Sequence, residues 1–394
     1  MLGERAVGWI LRPTIYAQFV AQGGEEGEGL KAVADNLKDV GLHLMVAPTL
    51  EGDVGQGEMD DCYEKNLQEL LHLADLAWEF GGGREERNPC LQVKATALLS
   101  ADILRRVSKE FEEATISNKM KMVELVAERI ISPSIRGDSR KTFPGISREV
   151  IEAFYKGARR LGILGQAAKS KGLHLLMDAE FTYVNPAVSL LALSAMAVIN
   201  QNKPIVCHTL QCYLKNAEDN LKREIQIANA LRFCYGAKIV RGAYLEQERR
   251  IASKESYDPT CASHADTGQN YKRVITHFME YAAKSPPGNC FIVIATHNEA
   301  GICHALNIIH SLGLSKKDGS VAFAQIYGMA EQISMPLAKE GYIVYKSVPV
   351  GGLSQVLPYL ARRAAENRSV LLGARKEREL LQKELVWRIK SSFS

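Results

Sequence analysis

Short runs of β-branched and apolar residues recur eight times along this chain of 394 residues, and each run is followed by a turn and a longer segment with helical periodicity. This alternation predicts parallel strands joined by helical crossovers, and eight such units favour a closed barrel over an open sheet. The eight predicted strands are 42–50, 91–98, 174–180, 204–211, 237–244, 290–298, 321–328 and 343–349. The first is the least regular because Pro48 interrupts it. We therefore predict an α/β fold, a (βα)8 barrel of the TIM type.

Two helical additions to the barrel are predicted. Residues 1–40 form an N-terminal helical arm, and residues 41–394 form the barrel. Within the barrel, an insert at about 101–171 is rich in Lys, Arg and Glu and is interpreted as a peripheral helical layer rather than a separate domain. The longest apolar stretch, 187–199, is too short to span a bilayer and predicts a buried helix.

Composition narrows the classes of partner. The formal charge is +4 on 49 basic and 45 acidic residues, so we expect no nucleic-acid partner. The eight cysteines include no Cys-x-x-Cys pair, and several lie in apolar runs, a spacing typical of reduced thiols packed in strands and of a reducing compartment. The first twenty residues contain no secretory cleavage pattern.

Polar residues stand at the carboxyl ends of seven predicted strands, the side of a TIM barrel that carries the active site. They are Lys94, Asp178, Glu180, Gln211, Arg241, Tyr244, Thr296, His297, Asn298, Gln325 and Ser347. Lys94 is costly to bury unless an anion neutralises it, and Asp178 is the expected partner. This convergence predicts one polar site at the barrel mouth.

Two other kinds of site are not expected. His297 and His208 lack the clustered ligands of a metal centre, so no metal is predicted. No Gly-x-Gly-x-x-Gly follows a strand, and the glycine-rich loop 51–58 is acidic and would repel a pyrophosphate. A Rossmann nicotinamide site is therefore disfavoured.

A basic helix at 359–367 follows the last predicted strand. Tyr359, Arg362 or Arg363, and Glu366 fall on one broad face at helical spacing. Two adjacent guanidinium groups can grip a carboxylate through charge-assisted bonds, and Glu366 can hold them in place. Because the helix follows the eighth strand, we expect it at the same rim.

These residues stand in motifs that identify a family. The chain resembles the proline dehydrogenase family, in particular its hydroxyproline dehydrogenase branch, over roughly residues 90 to 380. The matching motifs are 176–180 (LMDAE), 211–214 (QCYL), 238–244 (KIVRGAY), 295–298 (ATHN), 325–329 (QIYGM) and 359–367 (YLARRAAEN).

The resemblance implies a distorted (βα)8 barrel that holds FAD noncovalently and oxidises an imino acid. Implied catalytic residues are Asp178 and Tyr244. Implied substrate-binding residues are Lys94, Tyr327, Ser347, Tyr359, Arg362 and Arg363. Implied cofactor-binding residues are Gln211, Lys238, Val240, Arg241, Gly242, Thr296, His297, Gln325 and Glu366.

The resemblance also implies partners and a substrate preference. A quinone would accept the electrons, with a peripheral membrane contact and a mitochondrial location, although no targeting peptide is visible. The final predicted helix, 374–390, is interpreted as docking on the core, with an interfacial surface as the alternative. Ser347 stands where proline-specific members carry tyrosine, which predicts a preference for 4-hydroxyproline.

Three alternatives stay open from the sequence. The enzyme could be an L-proline dehydrogenase, or a Schiff-base lyase or aldolase that uses Lys94 or Lys238 as nucleophile. A barrel kept only as a binding module is the third. Flavin absorbance of the purified chain would exclude the Schiff-base enzyme.

Overall fold

The computed structural model describes residues 19–21, 27–50, 60–82, 88–132, 143–254, 257–316, 319–352 and 371–391. The strands are β1 (His43–Pro48), β2 (Cys90–Val93), β3 (His174–Met177), β4 (Val206–Gln211), β5 (Tyr235–Val240), β6 (Cys290–Ala295), β7 (Val321–Ile326) and β8 (Ile343–Val350). The helices are α1 (Glu28–Asp39), α2 (Asp60–Phe80), α3 (Ala101–Glu113), α4 (Ile116–Ile131), α5 (Arg148–Lys171), α6 (Asn185–Ile199), α7 (Ala217–Leu231), α8 (Leu245–Ala252), α9 (His264–Lys284), α10 (Glu299–Leu312), α11 (Glu331–Lys339) and α12 (Leu371–Ser391).

The eight strands form a closed, wholly parallel barrel in sequence order, which confirms the predicted fold class. β1 closes the barrel against β8 over six paired residues, from His43 opposite Tyr345 to Pro48 opposite Val350. Pro48 is the last residue of β1, and the ladder continues past it through the Thr49 N–H, which donates to Val350. A proline at the end of a strand does not remove a hydrogen bond from the interior of the ladder, so β1 can contain Pro48.

Side chains along each strand point alternately into the barrel and out toward the helices, and this divides the core into two layers. The inner layer fills the lower barrel with residues such as Met45, Cys90, Leu176, Phe291 and Tyr345. The outer layer lies between the strands and the surrounding helices. All eight cysteines are free; six are buried, and of these Cys90, Cys207 and Cys290 lie in strands as predicted, whereas Cys62 and Cys303 are exposed on α2 and α10. The packed lower barrel leaves the carboxyl ends of the strands for polar side chains.

The helical insert has two parts. Helix α5 packs on β3 and on α2 and takes the place of the crossover helix between β2 and β3. Helices α3 and α4 are the added layer, and both pack on the buried helix α6 that the apolar stretch predicted. Ser100, Thr115 and Ser147 cap the starts of α3, α4 and α5 by accepting backbone N–H groups. The division of the chain into an arm, a barrel and an insert stays a prediction.

The two ends of the described chain differ in packing. Of the N-terminal arm, α1 packs against β1 and α2. On α12, the side chains described from Arg378 onward are exposed, including Leu385, Trp387 and Ile389. Their exposure does not fit the predicted docking of this helix on the core. Within the described residues, no helix is both long and apolar enough to cross a membrane.

His174, at the start of β3, makes stability depend on pH. Its ring stacks on Phe291 with centroids 4.0 Å apart, and its Nδ1 lies 2.9 Å from the carbonyl oxygen of Pro204. Burial lowers the pKa of His174 to about 4, although the Pro204 carbonyl opposes the shift. Below a pH of about 6.5 His174 therefore binds a proton in the unfolded chain but stays neutral in the folded chain, and this difference favours unfolding.

We expect the free energy of unfolding to fall by about 1–3 kcal/mol between pH 6.5 and 4 on account of His174. Well above pH 6.5, where the imidazole is neutral in the unfolded chain as well, this residue should contribute no pH dependence. Urea unfolding of the native chain and of His174→Gln at several pH values measures the effect. An equal acid dependence in both proteins would assign the loss to other groups.

Candidate active site

A network of hydrogen bonds at the barrel mouth is centred on one buried lysine. Lys238, in β5, is 5% exposed. Its Nζ lies 2.5 Å from Oδ1 of Asp178, which follows β3, and 2.6 Å from Oε1 of Gln92 in β2. The amide nitrogen of Gln92 in turn donates to Oγ of Ser347 in β8, at 2.7 Å. Four strands thus contribute to a continuous chain of hydrogen bonds, which we call the mouth network: Asp178, Lys238, Gln92 and Ser347.

The mouth network corrects one predicted pairing and adds one residue. Asp178, expected to neutralise Lys94, forms its ion pair with Lys238. Gln92 was not predicted, because it lies inside the apolar run before Lys94. Strand periodicity could have identified it: residues two apart in a strand share a face, so Gln92 points to the same side as Lys94.

Lys94 lies directly after β2, as the N-terminal flank of a short 3-10 helix. Its positive charge acts on Glu180, a buried carboxyl group that accepts hydrogen bonds from Thr96 at 3.1 Å (backbone N–H) and 2.6 Å (hydroxyl). Burial raises the pKa of Glu180, and the bonds from Thr96 and the charge of Lys94 only partly offset it. Glu180 thereby anchors the turn that presents Lys94 to the mouth.

Gln211 ends β4 beside this turn. Its amide nitrogen donates to the backbone oxygen of Glu180 at 3.0 Å. Its amide oxygen is buried and has no hydrogen-bond partner among the described residues. An unpaired buried acceptor costs about 1–3 kcal/mol, so its persistence at the mouth points to a ligand donor.

β6 and β7 are tied together at the mouth by His297. Its Nε2 accepts the backbone N–H of Ile326 at 3.0 Å, which leaves Nδ1 to carry the proton of a neutral ring. The buried Gln325 has its amide bonded at both ends, to the Ser334 hydroxyl at 2.9 Å and to the carbonyl of Thr296 at 3.4 Å. The described residues contain no cluster of His, Cys, Asp and Glu that could hold a metal ion.

The end of β5 brings a third cation to the mouth. Arg241 donates to the backbone oxygen of His264, at the start of α9, at 2.9 Å. Val240, one residue earlier, accepts the N–H of Cys212 at 2.9 Å and so holds the ends of β4 and β5 together. The guanidinium group of Arg241 therefore has a fixed place beside the mouth, where it can meet an anion.

Gly242 turns the chain immediately after Arg241. Its φ of 121° is a conformation that other residues rarely adopt, and a Cβ here would lie 1.7 Å from the ring of Tyr213. The turn leads to Tyr244, whose ring packs against Phe181 with centroids 4.6 Å apart. Close packing of backbone on a ring thus requires glycine at this position and sets the position of Tyr244.

The remaining predicted residues fall into two groups. Tyr327 is half-buried after β7; its N–H donates to the backbone oxygen of Ser347 at 3.0 Å, and burial raises the pKa of its phenol. The residues predicted on the helix after β8 lie outside the described residues: Tyr359, Arg362, Arg363 and Glu366.

The fold and the polar mouth define a (βα)8-barrel enzyme, and comparison with known proteins gives its family. The family model described as proline dehydrogenase matches residues 31–375. The chain is 36% identical to the hydroxyproline dehydrogenase of Xenopus laevis over 391 residues, 99% of this chain and 81% of that protein. It is 35% identical to the human hydroxyproline dehydrogenase over 399 residues, 98% of this chain and 84% of that protein.

Two further similarities are lower in coverage or in identity. The human protein named proline dehydrogenase 1, mitochondrial, is 41% identical over 234 residues, 59% of this chain and 39% of that protein. Among solved structures, proline utilization A from Bdellovibrio bacteriovorus matches with a TM-score of 0.69 and 17% identity, over 91% of this chain and 33% of that longer chain. The chain belongs to the proline dehydrogenase family. It is therefore an oxidoreductase that acts on CH–NH bonds, in a family of flavoenzymes.

Proposed function

We propose that the chain oxidises trans-4-hydroxy-L-proline, and more weakly L-proline, to the corresponding pyrroline-5-carboxylate with FAD as cofactor. The observation that carries this proposal is Ser347. It places a small hydroxyl on the inner face of β8, 2.7 Å from Gln92 and within the mouth network. A small polar residue leaves room for a ring that carries a hydroxyl group. The names of the relatives that match nearly the whole chain agree with this substrate.

The residues of the mouth suit FAD. The unpartnered amide oxygen of Gln211 can accept an N–H of the flavin ring. Arg241, which follows the neighbouring strand β5, suits the diphosphate, and Lys238, three residues earlier in β5, supplies a second positive charge. FAD, when bound, would accept the two electrons that leave the substrate as one hydride.

The protein itself binds and orients the imino acid. Lys94 and, by the family resemblance, Arg362 and Arg363 bind the carboxylate. Asp178 holds Lys238 in place, and by the family resemblance Tyr244 and Tyr359 close over the ring. Correct positioning of the C5–H is the main contribution to the rate. The ring nitrogen must be unprotonated when the C=N bond forms, and no described residue identifies itself as the base.

FAD should be bound without a covalent tether. We expect acid precipitation of the yellow holoenzyme to release the cofactor into the supernatant, where its absorbance equals that of the intact protein. In a control, the protein is digested before precipitation, so that FAD which is only trapped in the precipitate is also released. Colour that stays with the peptide in both samples would show a covalent link.

The surroundings of Lys238 disfavour this residue as the nucleophile of a Schiff-base lyase, which leaves Lys94 as the candidate nucleophile for that alternative. A nucleophilic amine must be neutral and accessible, whereas Lys238 is buried and bonded to a carboxylate and an amide oxygen. L-Proline as the preferred substrate remains the alternative within the family. Steady-state rates with both imino acids decide it.

The electron acceptor and the location of the enzyme complete the proposal. By the family resemblance we propose a quinone acceptor, a peripheral membrane contact and a mitochondrial location. The membrane contact rests on the family resemblance: Leu385, Trp387 and Ile389 on α12 are exposed beside Arg388 and Lys390, but they do not share one face of the helix.

A further inference from the structure

The amide of Gln92 is fixed in one orientation by its two neighbours. An ammonium group has donors only, so the amide oxygen of Gln92 must face Lys238, 2.6 Å away. The amide NH2 then faces Ser347, to which it donates at 2.7 Å. Gln92 is 8% exposed, and rotation of the amide would place N–H against an ammonium group. The polarity of this bond is therefore set by Lys238.

This orientation determines what Ser347 can offer to a ligand. Its oxygen accepts from Gln92, so its own hydrogen remains to be donated. Within the part of the chain that the structure describes, no acceptor receives that hydrogen. Ser347 is only half-buried and shares the inner face of β8 with Tyr345, which belongs to the inner core. A ring bound at the mouth is placed to receive the hydrogen bond.

We propose that Gln92 is a specificity-determining positioning residue, which commits the Ser347 hydroxyl to donate to an oxygen on the substrate ring. The inference rests on the proposed function and deepens it. The site then selects rings with an oxygen acceptor facing β8, and it selects against a plain methylene or a cationic donor at that place. Without Gln92 the hydroxyl could rotate and serve either role, and the selection would weaken.

Gln92→Glu tests the polarity with almost no change in shape. One carboxylate oxygen keeps the bond from Lys238, and the other faces Ser347 as an acceptor, so the hydroxyl now donates to the protein and offers lone pairs to the ligand. The probes are 4-oxo-L-proline, whose C4 substituent only accepts, and 4-amino-L-proline, whose protonated substituent only donates. Their dissociation constants are measured by calorimetry on the holoenzyme with its flavin reduced beforehand, so that the probes bind without being oxidised.

We expect the native enzyme to bind the oxo probe about five- to tenfold more tightly than the amino probe, the size of one hydrogen bond. Gln92→Glu should reverse this order. The new negative charge attracts the amino probe by itself, so the same substitution is also made in a Ser347→Ala background. There the preference should shift only by that attraction. A reversal of equal size in both backgrounds would overturn the role of Ser347.

Two further results keep the inference separate from the proposed function. Gln92→Met, which removes the polarity without adding charge, should bring the two probes within about twofold of each other, since one hydrogen bond is lost. An unchanged preference in Gln92→Met would overturn the inference even if Gln92→Glu failed to fold. Absence of hydroxyproline oxidation by the native holoenzyme would instead defeat the proposed function, whatever the probes show.

Discussion

Lys238→Met should lower kcat/KM by about two to three orders of magnitude, because it removes the cation on which the mouth network is built. The change leaves the carboxylate of Asp178 and the amide oxygen of Gln92 without their shared donor. Loss of one partner from a buried ion pair costs about 3–5 kcal/mol. Steady-state rates at saturating FAD, together with bound flavin per chain, measure the effect. Asp178→Asn should reproduce much of it, since it leaves the buried cation uncompensated.

Lys346 offers a matched control for this prediction. It is also a fully buried lysine in a strand, but it faces out of the barrel and bonds the backbone oxygen of Met329 at 2.6 Å and Glu331 at 3.0 Å. Lys346→Met should therefore lower the melting temperature while the folded enzyme keeps nearly native kcat/KM. If Lys238→Met kept kcat/KM within about threefold of native, the change would be worth under about 0.7 kcal/mol, and the mouth network would not be part of the site.

Ser347→Tyr should exchange the substrate preference of the enzyme. The native chain is expected to oxidise 4-hydroxyproline more efficiently than proline. The introduced phenol fills the space beside β8 and crowds a hydroxyl on the ring, so kcat/KM for hydroxyproline should fall about a hundredfold, consistent with about 1–3 kcal/mol for overpacking. The value for proline should change by no more than a few fold. Paired steady-state measurements on both proteins supply the four values needed.

Ser347→Ala distinguishes the steric contribution of Ser347 to substrate preference from its contribution as a hydrogen-bond donor. It keeps the room for the substrate hydroxyl and removes the donor, so the efficiency with hydroxyproline should fall only about five- to tenfold. If the native chain preferred proline and Ser347→Tyr changed neither value, the substrate proposal would be wrong and L-proline would be the better candidate.

The fold was largely predictable because the strands of a closed parallel barrel are apolar runs with long helical spacers. Their ends were less so. The second strand was predicted at 91–98 but ends at Val93, because the 3-10 helix at Ala95–Ala97 takes over, and the third was predicted to reach Glu180 but ends at Met177. Where a strand ends and its turn begins depends on hydrogen bonds to residues far away in the sequence. An example is the bond from the N–H of Thr96 to the carboxyl group of Glu180.

The candidate site was predictable as a set of strand ends but not as a set of bonds. Lys238 is 146 residues from Gln92 and 60 from Asp178, and Gln92 is 255 residues from Ser347. A local sequence pattern does not show which residues pair over such distances. Asp178 was therefore assigned to Lys94, because Lys94 lies in the preceding strand. Only the barrel register shows which of two lysines meets the carboxylate.

The pairing of β1 with β8 also bears on when this protein can work during its synthesis. Closure needs residues 343–350, so a nascent chain that has already released β1 through β7 still presents two unpaired strand edges, at β1 and at β7. Open edges of this kind recruit other chains, and contacts across some 300 residues form slowly. Ser347 and Gln92 meet only at that closing step. The ribosome must therefore deliver nearly the whole barrel before any substrate can be recognised, and chaperones are most needed in the interval just before.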